Sequence, residues 1–334
     1  MSPVVASSAA ARGTRRPRGP LLGMNVSPLG TDHASLLWGA GVRAVCFPLW
    51  PEVDVREIVL HYQSRGIFVV PRADAKTFSV RDDPHRVAQF WKDQIGDLCS
   101  VIQWGSNEFD GPHGGTSSTA SEAQVYEQLF TARRVFATQF LIGPNLVTGQ
   151  PSAWTRNLDS QVDAIGLSRY PNHVSEMADG IYGPEGYKRH SLQNPAYGGR
   201  GKPVWFLEFP LWGEAYLREA LRISDGPPFV YTWHAWWQTQ NLNWTDAMVD
   251  LAGNPTWRLP LYTKVAKEAE VMAEEIDILK ARIELLEKQG SLRDDLIARI
   301  LSGEWDEGPG SAEALLRAIA PKYSSFEAAR FPKA

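Results

Sequence analysis

The chain has 334 residues, longer than one ordinary domain of about 100–200 residues and suited to a single barrel of about 250 residues with appendages. Its hydrophobic fraction of 43% is ample for a sizeable core, and a net charge of −4 gives no general attraction to nucleic acid or anionic lipid. Two cysteines, Cys46 and Cys99, exclude a disulfide framework or a four-cysteine metal site, and no apolar run approaches the roughly 18 residues of a membrane span.

Residues 1–20 gather Arg12, Arg15, Arg16 and Arg18 among Ala, Ser and Pro. They lack the continuous apolar stretch of a secretory signal and read as a flexible, solvated arm. The expected setting is the cytoplasm or a virion-like assembly. Short apolar runs bounded by Gly, Pro or polar turns then recur over 21–26, 44–49, 67–71, 100–104, 140–142, 162–167, 203–207 and 229–233. Helical patterns lie between them. Residues 54–65 place Val55, Ile58, Val59 and Tyr62 on one face, and similar stripes run over 84–98, 121–138 and 214–223. Alternating βα units of this count predict a (β/α)8 TIM barrel over 21–261. A doubly wound open sheet is the runner-up. It calls for a Gly-rich phosphate loop after the first strand, where this chain has Asn25-Val26-Ser27-Pro28. Residues 171–200, rich in Gly, Asn, Tyr and Pro, read as a long loop at the mouth.

From Tyr262 the composition turns to Glu, Lys, Ala, Ile and Leu. Tyr262, Val265, Ala269, Met272, Ile276, Leu279, Ile283 and Leu286 form a heptad seam that ends at Gly290. The expectation is a C-terminal coiled-coil helix over 262–290, followed by short terminal helices within 291–334. Ile at a and Leu at d favour two strands, with trimers open, so the chain is expected to be a homo-oligomer. The alternative is an amphipathic helix packed on its own barrel.

The fourth run ends in Trp104-Gly105-Ser106-Asn107-Glu108-Phe109, and the seventh in Lys202-Pro203-Val204-Trp205-Phe206-Leu207-Glu208. A carboxylate directly after a buried barrel strand emerges at the C-terminal mouth, where barrel enzymes work. Thirteen tryptophans add flat apolar faces of the kind that meet sugar rings.

Both segments resemble the retaining glycosidases of the barrel superfamily called clan A, which carry Asn-Glu after strand four and Glu after a Lys-Pro-aromatic run on strand seven. The resemblance covers residues 21–261. It implies Glu108 as general acid/base, Glu208 as nucleophile and Asn107 on the sugar 2-hydroxyl. Trp104 and Phe109 are expected as apolar walls that raise the acid's pKa. Tyr170 resembles the tyrosine that holds the clan's nucleophile, and Trp233 and Trp236 the aromatic floor, which Trp50 and Trp212 would extend. Cys46 stands where many members have a supporting arginine, and Ser168 where a histidine is common. Arg72 or Arg169 would then supply the cation.

Further expected substrate contacts are His234, Asn25, Asp32 and Asp74, while Glu214 reads as a helix cap. The seven histidines show no metal-ligand spacing, and neither a metal nor another cofactor is expected. The predicted function is a retaining O-glycoside hydrolase acting on a poly- or oligosaccharide. The alternative is a non-catalytic carbohydrate-binding barrel displayed in an oligomeric virion or cell-surface assembly, where multivalency strengthens weak contacts. A lyase or aldolase would call for a strand-end lysine or a metal cluster.

Overall fold

A computed structural model describes residues 21–28, 34–78, 83–107, 109, 120–147, 153–168, 170, 174, 194–199, 201–231, 247–249 and 254–289. The expectations for Glu108, Asp32, Arg169, Trp233, His234, Trp236, the arm, most of the 171–200 loop and the terminal helices lie outside these residues.

Eight strands are present: β1 (Gly23–Asn25), β2 (Ala44–Pro48), β3 (Phe68–Arg72), β4 (Val101–Gln103), β5 (Phe140–Leu146), β6 (Ala164–Ser168), β7 (Val204–Pro210) and β8 (Phe229–Tyr231). They pair in chain order, and β8 closes in parallel onto β1. Closure excludes the open doubly wound sheet. Helices α1 (Ala34–Gly39), α2 (Val55–Gln63), α3 (Ala75–Phe78), α4 (Pro84–Ile95), α5 (Glu122–Val135), α6 (Arg156–Asp159), α7 (Glu214–Ile223) and α8 (Arg258–Gln289) complete the described elements. Among the described residues no helix is long and apolar enough to cross a membrane.

The strands alternate between two cores. Ala44, Cys46, Phe68, Val70, Val101, Ile142, Ala164, Trp205, Leu207 and Phe229 pack together in the lumen. Their neighbours Val45, Phe47, Val69, Ile102 and Phe206 face the helices. Helix starts follow local chemistry. Asp54, Asp83 and Thr155 accept backbone N–H groups at α2, α4 and α6, and Ser121 with Gln124 forms a capping box at α5.

Three boundaries differ from the sequence reading. β5 continues past Ile142 because a register shift between Ile142 and Asn145 carries Gly143-Pro144 through as a bulge. β7 runs through Glu208 to Pro210 rather than stopping at Leu207. Its register to β6 jumps from Leu167↔Phe206 to Ser168↔Glu208. The extra residue lets Leu207 and Glu208 both face the lumen, while Phe206 and Phe209 pack outside.

The third difference is the tail. α8 begins at Arg258, and residues Met1–Glu270 form one compact unit, with Val271–Ala334 a second. Tyr262, Val265, Ala266 and Ala269 are buried, the Tyr262 hydroxyl donates to Gly23 O at 3.4 Å, and Arg43 pairs with Glu270 at 2.7 Å. Gly41, at φ 87°, admits this contact, because a Cβ there would lie 2.9 Å from Ala266 Cβ. Tyr262 and Val265, early in the heptad seam, and Ala266 beside them therefore pack in the core of the first unit. A chain ended at Leu261 is expected to lose about 3–6 kcal/mol, at about 1.5–3 kcal/mol for each of the large side chains Tyr262 and Val265. A chain ended at Glu270 should melt within a few degrees of the full protein. Equal melting of the two shortened chains in calorimetry would refute this role for α8.

Candidate active site

The mouth is built from the last inward-facing residue of successive strands. Glu208 reaches it through the β7 bulge and is 8% exposed. Arg72, the final residue of β3 and 4% exposed, donates from Nη1 to Glu208 Oε2 at 2.8 Å. Tyr170 donates its hydroxyl to Glu208 Oε1 at 2.5 Å. Each carboxylate oxygen thus receives its own donor, one from the end of β3 and one from just after β6. Burial opposes the Arg72 charge, but Glu208 beside it, with Cys46 and Asp74, holds the guanidinium above its ordinary range. A buried pair of this kind is costly to break, because either partner alone is a desolvated charge.

Cys46 lies next to this pair. Burial pushes its thiol up to about 12, with Arg72 drawing it down and Glu208 adding to the rise. It is therefore a neutral neighbour, and Arg72 supplies the cation beside Glu208. Asn25, on β1, donates its amide to Leu207 O at 2.8 Å. This amide group ties β1 to β7 one residue before Glu208.

Asn107 sits on the turn after β4. Gly105 takes φ 95° there, a conformation glycine adopts without steric cost, and its position is close-packed against Pro144 and Leu129. The Ser106 N–H and hydroxyl both donate to Gln128 Oε1 at 2.9 Å, which pins the turn to α5. Asn107 is buried, and its Oδ1 accepts no hydrogen bond. Trp104 corrects an expectation. Its ring packs between Phe78 and Phe136, at centroid distances of 5.6 and 5.1 Å, in the core under the helices. It does not wall the mouth. Phe109 also packs against that core.

Trp50 is 8% exposed, donates its indole N–H to Asp74 Oδ2 at 2.7 Å, and has the Lys76 ammonium 4.0 Å from its ring centroid. Lys76 also pairs with Glu52. Asp74 Oδ1 accepts the Lys76 and Thr77 N–H groups, so this carboxylate organises the β3–α3 turn. Trp212 is 41% exposed and packs edge-on against Tyr216, leaving much of its ring open just beyond β7. Glu214 is the first residue of α7 and pairs with Arg218 and Lys264; Gly213 holds the cap position and no side chain caps the helix, so Glu214 is not the cap that the sequence suggests.

The structure thus brings Arg72, Tyr170, Glu208 and Asn25 into one cluster. Two inward polar residues escaped the sequence reading, Gln103 on β4 and Asn145 on β5, both buried. Strict alternation from Val101 points to Gln103. Asn145 was hidden by Gly143-Pro144, which reads as a strand end. Among the described residues no cluster of His, Cys, Asp and Glu suits a metal ion.

No protein-family model matches this chain, and no curated protein does. Solved structures do. An exo-β-1,4-mannosidase from an Opitutaceae bacterium superposes with TM-score 0.53 at 13% identity, over 79% of this chain and 62% of its own. A β-glucuronidase of Ruminococcus gnavus gives 0.52 at 11% identity, over 75% and 50%. A monomeric β-xylosidase of Caulobacter crescentus gives 0.50 at 12%, over 76% and 69%. The likeness is one of fold. These neighbours are glycosidases, and the chain spans less than two thirds of the first two.

Proposed function

We propose that this protein is a retaining O-glycoside hydrolase. The observation that carries the reading is the Glu208 carboxylate, held at a barrel mouth by a cation on one oxygen and a phenol on the other. A nucleophilic carboxylate must be ionised and fixed in orientation. Arg72 favours the charge, and Tyr170 with Arg72 sets the plane. In the first step Glu208 attacks the anomeric carbon while the glycosidic oxygen leaves with a proton from Glu108. In the second, Glu108 takes a proton from water, whose oxygen displaces Glu208 from the glycosyl ester and restores the carboxylate. Asn107, through its Oδ1, would accept from the sugar 2-hydroxyl. Trp212, and the tryptophans 233 and 236 with His234, would line the sugar path.

Tyr170→Phe removes one hydrogen bond to a charged group, worth about 1.5–3 kcal/mol. It is expected to lower kcat about 10- to 150-fold with little change in melting temperature. Initial rates on aryl glycosides check this, and an unchanged kcat would remove Tyr170 from the mechanism. A panel of aryl β-glycosides and polysaccharides tests the activity itself. No turnover of any member by the wild type would defeat the hydrolase reading.

The second reading, a carbohydrate-binding barrel in an oligomer, draws on the apolar side chains Val271, Met272 and Ile278 left exposed on α8. Self-association through residues 271–289 would appear in light scattering of the full protein and vanish in a chain ended at Glu270. A monomer in both would reject it.

A further inference from the structure

Five neighbouring strands each bring one polar side chain to the upper lumen: Arg72 on β3, Gln103 on β4, Asn145 on β5, Ser168 on β6 and Glu208 on β7. Arg72 lies opposite Gln103, Ser168 opposite Glu208, and Asn145 opposite Gly166 on the same face as Ser168. Gln103 in turn lies opposite Ile142, so the register sets the five in three rows rather than one. Arg72 and Glu208 satisfy each other. The middle three do not. Gln103 Oε1, both amide atoms of Asn145 and Ser168 Oγ are buried without a hydrogen-bond partner, in residues at most 1% exposed.

Such atoms destabilise a fold unless something else uses them. Barrel interiors are ordinarily filled by bulky apolar side chains, as this one is lower down by Phe68, Val70, Trp205 and Phe229. The departure lies toward the C-terminal ends of these strands. Amides and a hydroxyl both donate and accept, so their complement is a set of groups that do the same, namely ring hydroxyls. A carboxylate only accepts and carries charge. Among the described residues the buried cations are Arg72 and Arg258, of which Arg72 is on Glu208 and Arg258 on Leu211 O at 3.0 Å. The middle three therefore offer a uronate no cation of their own.

We propose that Gln103, Asn145 and Ser168 form a specificity arc that recognises the hydroxyls of a neutral glycone in preference to a uronic acid. The inference rests on the reading of this mouth as a glycosidase site. Each of the three is at most 1% exposed, so a sugar at Glu208 meets them only once the side chains above them shift.

Calorimetric binding to the wild type and to Glu208→Gln, with methyl β-glucoside, β-mannoside, β-xyloside and β-glucuronide as probes, tests it. At least one neutral glycoside is expected to bind about 10-fold or more tightly than the glucuronide. Ser168→Ala and Asn145→Leu should each weaken that binding about 5- to 30-fold. Both ligand-free variants should melt at the wild-type temperature or above it, because each loses an unsatisfied atom. Variants that melt lower while binding is untouched would make the arc structural. Tighter binding of the glucuronide, or no binding of any probe, would also overturn the proposal. Binding with the expected pattern but without hydrolysis would sink the hydrolase reading and leave the arc standing.

Discussion

Replacing Arg72 by methionine is expected to lower stability by about 3–5 kcal/mol, because it leaves Glu208 as a buried carboxylate without its cation. For a barrel of this size that is a fall of about 6–20 °C in melting temperature. The guanidinium is 4% exposed and bonds Glu208 at 2.8 Å, so solvent screens the pair little. Adding Glu208→Leu to Arg72→Met should recover much of the loss, since the stranded charge is gone. A double-mutant cycle by thermal unfolding measures the coupling. Independent, additive effects would show that the two groups do not depend on each other. Turnover should fall at least about 100-fold in Arg72→Met, as a preorganised electrostatic contact is lost.

Glu208→Gln is expected to abolish hydrolysis, with kcat reduced at least about 10⁴-fold. The amide keeps the shape of the carboxylate and can still accept from the Tyr170 hydroxyl, but it is no nucleophile. The variant leaves Arg72 uncompensated, so a melting loss of a few kcal/mol is expected as well. Rates must therefore be taken below the variant's own transition, with circular dichroism showing the fold intact. Because the arc of Gln103, Asn145 and Ser168 is untouched, sugar binding should survive. Turnover close to wild type would remove Glu208 from the chemistry.

Much of this architecture was legible in the residues. The eight apolar runs are the eight strands, and the caps at Asp54 and Ser121 fall where helical stripes begin. What sequence missed follows from two bulges. Period-two alternation cannot show an extra residue in β7, so Glu208 was placed after the strand instead of inside it, and Asn145 was lost behind Gly143-Pro144. The cation was narrowed to Arg72 or Arg169 without a decision, because strand register decides which side chain reaches Glu208. The Trp104 ring was placed on the wrong face for the same reason. The heptad seam was real as a pattern, yet its first turns meet the barrel. A stripe of Tyr, Val and Ala looks alike whether its partner is another chain or the fold itself.

The most direct test of the central claim is a covalent one. An activated fluorosugar, whose fluorine beside the anomeric carbon slows breakdown of a glycosyl-enzyme, is incubated with the protein, and the peptides are read by mass spectrometry. The expected result is one glycosyl adduct on the peptide bearing Glu208, absent in Glu208→Gln, with hydrolysis products retaining the anomeric configuration. An adduct on another residue, or turnover that inverts the anomer without any adduct, would contradict it.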